Sequence, residues 1–145
     1  MPTTLGRKYE IDWRGNPPHM LMPDVPVWYR FLDKYGAYFQ ALYYDSLLGG
    51  PFLSPEQEAD PFLRMWRFNT CKRADAIAEL ETEIWIIEVA SYPGLRAVGQ
   101  LQVYQSLWLE DLKILKPERL VLVAERIDND LGAACGRFGI QVYLV

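Results

Sequence analysis

The sharpest pattern of polar and apolar positions lies in residues 72–90. KRADAIAEL and EIWIIEVA flank the short polar link ETE, which predicts two strands joined as an antiparallel hairpin. Downstream, residues 95–115 place Val98, Leu101, Leu107 and Leu112 at helical spacing, with Tyr104 and Trp108 between them, so a long helix is expected before Pro117. RLVLVAE is an apolar strand, NDLGAACGRFG a short helix and IQVYLV a final strand. Upstream, residues 24–36 form a helix with Asp24 as N-cap, Pro26 in the first turn and Gly36 at the end. Its buried side is Val27, Trp28, Phe31 and Leu32, extended by Tyr35. Residues 37–50 are an aromatic-rich strand closing on two glycines. Ser54 and Gln57 then offer a capping box, and Pro61 interrupts or restarts that helix.

A three-strand meander followed by a helical crossover implies an α/β fold, a mixed central sheet with flanking helices. Residues 24–145 are read as a single domain. Residues 1–23, with GNPPHMLMP near their end, are read as an extended N-terminal arm packed on its own domain or on a neighbour.

Composition narrows the classes. The chain has 145 residues, half of them hydrophobic, enough for one domain with a real core. A net charge of -4 argues against a protein that coats nucleic acid nonspecifically, but leaves room for a local basic site. Cys71 and Cys135 form no CxxC pattern and are expected as buried free thiols of a reducing compartment. No apolar run approaches the roughly 20 residues that span a bilayer, and the start has no apolar signal region. A soluble intracellular protein with no membrane partner is the expectation. No repeat, Walker loop or dinucleotide fingerprint is present. His19, the only histidine, is expected in a loop or on the surface, and Trp28, Trp66, Trp85 and Trp108 as core or interface anchors.

The hairpin carries the candidate chemistry. Residues two apart on a strand share a face, so Arg73 goes with Asp75, and Glu88 with Ala90. A register that sets Asp75 beside Glu88 would bring two carboxylates together on adjacent strands. A divalent cation would relieve their repulsion and burial cost, and Mg²⁺ or Mn²⁺ prefers oxygen ligands. The competing reading has Asp75 exposed on an edge strand and Glu88 paired with Arg73 or Arg96 as a structural ion pair.

KRADAIAE, IWIIEVA and GQLQVY, with YYDSLLGG before them, resemble the PD-(D/E)XK nuclease superfamily over roughly residues 25–125. The resemblance implies a restriction-endonuclease-like core and a Mg²⁺- or Mn²⁺-dependent DNA endo- or exonuclease site. It makes Asp75 the first acid and Glu88 the second, both metal ligands. Gln100 and Tyr104 match the QxxxY helix motif of the exonuclease branch, which supports the site or contacts DNA. Asp45 or Glu58 would be an auxiliary acid. Where the family has lysine this chain has Ala90. Loss of a comparable electrostatic group costs about 2.7–4 kcal/mol in the transition state.

Three accounts of that alanine compete. The cationic role sits elsewhere, on Arg73 with Lys72 adjacent; or a lysine was replaced to silence a nuclease; or the fold has lost catalysis and serves as a binding or assembly module. The last is favoured, giving a nuclease-fold protein acting on or around DNA with impaired chemistry. Short chains of this kind are similar to phage and prophage proteins. That implies host cytoplasm or virion, and an alternative role in head–tail assembly through homo-oligomers or phage structural proteins held by the N-terminal arm. The run Arg64, Arg67, Lys72 and Arg73 would receive a DNA backbone or form a solvated face.

Overall fold

The computed structural model describes residues 3–145. Six strands form one mixed sheet in the order β1 (Lys8–Tyr9), β2 (Ala41–Leu48), β3 (Lys72–Glu79), β4 (Ile84–Ala90), β5 (Glu118–Ala124) and β6 (Ile140–Leu144). The first four are mutually antiparallel, whereas β4, β5 and β6 run parallel. Parallel strands need covering on both faces, and β4 and β5 are apolar almost throughout for that reason. Helices α4 (Leu95–Glu110) and α5 (Asn129–Arg137) cover one face through Leu101, Trp108, Leu131 and Cys135. Helix α1 (Val25–Tyr35) covers the other through Trp28, Phe31 and Leu32, packed on Leu42, Ile87 and Val121. The fold is therefore α/β with a mixed central sheet and flanking helices, as the periodicity predicts. Cys71 and Cys135 are free and buried.

The capping box is present: Ser54 Oγ accepts from Gln57 N, and Gln57 Oε1 accepts from Ser54 N. It starts only the single turn α2 (Pro55–Glu58). Pro61 restarts the chain as α3 (Pro61–Thr70), capped by Asp60.

Several expectations change. The arm packs on its own domain, one of the two alternatives expected, but it does so as part of the sheet, since β1 pairs with β2 and Thr4 bridges Leu47. The long helix ends at Glu110 rather than near residue 115. Asp111 leaves helical geometry, and its Oδ2 accepts from Thr3 N at 3.0 Å and sits 3.1 Å from Lys113 Nζ. Strand β2 starts at Ala41, after a 3-10 turn over Gly36–Tyr38. Trp28, Trp85 and Trp108 are core residues, but Trp66 is half exposed on α3.

The double glycine after β2 has a geometric cause. Gly50 has φ 80°, and a Cβ there would overlap Cys71 Sγ. Gly50→Ala is expected to cost about 2 kcal/mol or more, from strain and overlap together. Gly136→Ala, inside α5 with nothing within 4 Å of the added carbon, should be neutral or stabilising by about 0.5–1 kcal/mol. Thermal melts of the two variants check the contrast.

Candidate functional site

The β3–β4 ladder pairs Ala76 with Ile87, and the next step of that register sets Asp75 across from Glu88. Backbone pairing stops there. The Val89 N–H instead donates to Asp75 Oδ2 at 2.8 Å, which satisfies a buried donor that the ladder no longer serves. Both carboxyl groups lie on central strands at 8% and 9% exposure, so the edge-strand alternative for Asp75 does not hold. Nor is Glu88 ion-paired with Arg73 or Arg96 among the described residues; its Oε1 is buried with no hydrogen-bond partner there.

The two groups open into a cavity of about 380 Å³. Its floor is Asp75, Glu88, Val89 and Ala90, one wall is Asp24 with Leu21 and His19, and the other is Arg96 and Gln100 of α4. Arg96, Gln100 and Tyr104 are spaced four apart and so follow one side of that helix. Tyr104 is buried; burial, then the charges of Glu88 and Asp75, push its hydroxyl above its ordinary value, while Gln100 interacts with it in the opposite sense.

Burial pushes the Asp75 carboxyl up to about 6, opposed by the Val89 N–H and by Glu88. Glu88 is pushed up to about 9, by burial first and then by the charge of Asp75 and the hydrogen bond with it. In the absence of a cation the pair therefore retains a proton at neutral pH, because burial and the neighbouring carboxyl both disfavour full ionisation.

Asp24 is a third buried acid at this cavity. It occupies the N-cap position of α1, as its sequence context predicts, but makes no capping bond. Its Oδ1 accepts from Ser91 N at 2.9 Å, tying the start of α1 to the end of β4.

The remaining candidates fall in different places. Asp45 has φ 55° where β2 passes Asp75, between the pairs Tyr44–Ala76 and Ser46–Ala74. Its Oδ1 lies 3.6 Å from Arg73 Nε, and its carboxyl feels His19 as well. Asp45 does not line the cavity, but its Oδ1 is buried without a hydrogen-bond partner and its charge helps raise Asp75. The Arg73 guanidinium is taken up by Asp45 and by the Phe68 ring, 4.4 Å from its centroid. The cation lining the cavity is Arg96, whose position one turn before Gln100 was the available signal. Glu58 is exposed on α2, away from the cavity lining. Lys72 is exposed and lines a second cavity of about 450 Å³, which shares Arg96 and Gln100 with the first.

His19 is an exposed turn residue, as expected, with φ 68°, and it also lines the rim of the cavity, where desolvation, then Arg73, hold its imidazole below the usual range.

Among the described residues no group of three or more His, Cys, Asp or Glu is arranged as a metal centre. The donor set of Asp75 and Glu88 still fits a hard divalent ion: two acidic oxygen ligands, one with an orphaned oxygen, beside room for water. No helix among the described residues is long and apolar enough to cross a membrane.

Comparison with protein-family models, curated proteins and solved structures returns no match, so the likeness to the PD-(D/E)XK nucleases rests on the motif residues and the order of elements.

Proposed function

We propose that this chain is a nuclease-fold protein acting on or around DNA, with a divalent-cation site at Asp75 and Glu88 and with hydrolysis impaired because Ala90 replaces the motif lysine. The observation that carries the reading is the orphaned, buried Oε1 of Glu88 beside Asp75, at the floor of a cavity walled by Gln100. A buried acceptor without a partner is costly, and a cation is one group that would satisfy it. Asp75 and Glu88 would hold Mg²⁺ or Mn²⁺, which supplies water activation and charge neutralisation at a phosphodiester. Gln100 forms the wall against which the scissile group would sit, with Tyr104 buried one turn further along the same helix side. Arg96 offers positive charge without being a proton acceptor.

A second reading, an active nuclease with a relocated cation, draws on Arg96 at the cavity. The assembly role through the N-terminal arm has less support, because the described part of the arm is occupied within its own sheet.

Mn²⁺ titration tests the cation site. The unmodified chain should bind Mn²⁺ and gain thermal stability at pH 8, by about 2.7 kcal/mol at a hundredfold excess over Kd. Asp75→Asn and Glu88→Gln should each lose that gain while remaining folded. An unmodified chain that binds no Mn²⁺ by calorimetry would sink the reading and leave assembly as the leading role.

A further inference from the structure

We propose that the exposed face of α3, continued through Lys72 and Arg96, is a docking track for single-stranded nucleic acid leading to the carboxylate cavity. It deepens the reading of that cavity as a nuclease-fold site and rests on it for what the strand is delivered to.

Residues 61–73 contain Arg64, Arg67, Lys72 and Arg73 and no acid, in a chain of net charge -4. The helix they build buries no residue: Phe62 is 85% exposed, Met65 64% and Trp66 50%. Phe62, Met65 and Trp66 are three and four apart, so they form one outward apolar side carrying two aromatic rings. A patch of this kind left in water marks a surface that something covers.

Polar ties fix the helix in place. Asp60 Oδ1 accepts from Phe62 N, and Arg67 donates to the Pro51 carbonyl and to Thr4 Oγ1. The apolar side is thereby left outward.

Cations and aromatic faces interleaved on a helix suit a strand whose phosphates need neutralising and whose bases can stack. A duplex hides its base faces, so it would use the cations but waste the rings. A second copy of the chain is disfavoured by symmetry, because two-fold pairing through this face sets its cations against one another.

The track also has a direction. Arg73 lies over Phe68 at the end of α3 and sits two residues before Asp75 on β3. Beside it, Lys72 opens the second cavity, whose Arg96 and Gln100 are also walls of the first.

The test is anisotropy with a labelled oligothymidylate of about 20 nucleotides, in EDTA so that neither metal nor cleavage contributes. Trp66→Ala and Phe62→Ala should each weaken binding by about tenfold, through lost stacking. Arg64→Glu should weaken it and flatten its salt dependence between ~50 and ~200 mM. These side chains are exposed, so melting temperatures should stay near that of the unmodified chain.

Any of four results overturns the inference: no binding by the unmodified chain, equal affinity for a blunt duplex, α3 variants that bind normally, or a dimer abolished by Trp66→Ala. Mn²⁺ stabilisation is read separately on the same proteins. Its loss with oligonucleotide binding intact would sink the cation site and leave the track standing.

Discussion

Ala90→Lys should cleave linear DNA in Mn²⁺ about 10²–10³ times faster than the unmodified chain, the factor expected for restoring one electrostatic group in the transition state. Position 90 lies two residues after Glu88 on the same strand face and lines the cavity, so the introduced ammonium would enter beside the carboxylate pair. The cavity has room for the longer side chain, and the pair supplies opposite charge for it. Combining the change with Glu88→Gln should remove the gained activity, which ties cleavage to this site rather than to a contaminant. If the unmodified chain already cleaves, Arg96→Ala becomes the decisive variant and should abolish that activity. Unchanged rates in Ala90→Lys, with Mn²⁺ still bound, would mean that the missing lysine is not what limits the chemistry.

In EDTA the protein should lose stability as pH rises from about 5 to 8, the reverse of what ordinary paired carboxylates produce. Glu88 is raised from 4.5 to about 9 and Asp75 from 3.8 to about 6 in the folded chain. Between the unfolded and folded values the native state holds protons that the unfolded chain has released. Stability therefore falls with pH, through both groups up to about 6 and through Glu88 alone above that. The loss should be on the order of 2–4 kcal/mol across the window, a fall of roughly 10 °C in Tm. His19 works in the opposite sense: its lowered value makes stability rise with pH as the solution approaches 6.5.

Glu88→Gln isolates the main contribution. The carboxamide can still donate towards Asp75 but cannot ionise, so the variant should match the unmodified chain at pH 5 and exceed it at pH 8. Its melting profile should be nearly flat above pH 6. A steep profile that survives Glu88→Gln would assign the effect to another group.

Much of the site follows from short-range arithmetic. The ETE link and the lengths of its flanking runs bring the Asp75 and Glu88 positions across from each other, and the register agrees. Gln100 and Tyr104 are four apart, so any helix there places them on one side. The strands, most helices and the capping box of Ser54 were legible because each depends on a local period or a contact three residues away.

Other site features depend on partners distant in sequence. Asp24 reads as a helix cap, yet its carboxylate serves Ser91, 67 residues further on. His19 reads as a loop residue and is one, but only the folded chain brings that loop to the cavity. Arg73 reads as the relocated cation, yet Asp45 and Phe68 draw it aside, and Arg96 lines the cavity instead. The early end of α4 needs Thr3 to reach Asp111 from the opposite end of the chain.

Sequence by itself determined the layers of this protein and the hairpin strands that carry Asp75 and Glu88, because periods of 2 and 3.6 and a short turn act within a few residues. Tertiary structure alone decided which acids are buried together, which arginine meets the cavity and which aromatic helix stays in water. Those outcomes depend on desolvation and on contacts between segments that no local pattern encodes.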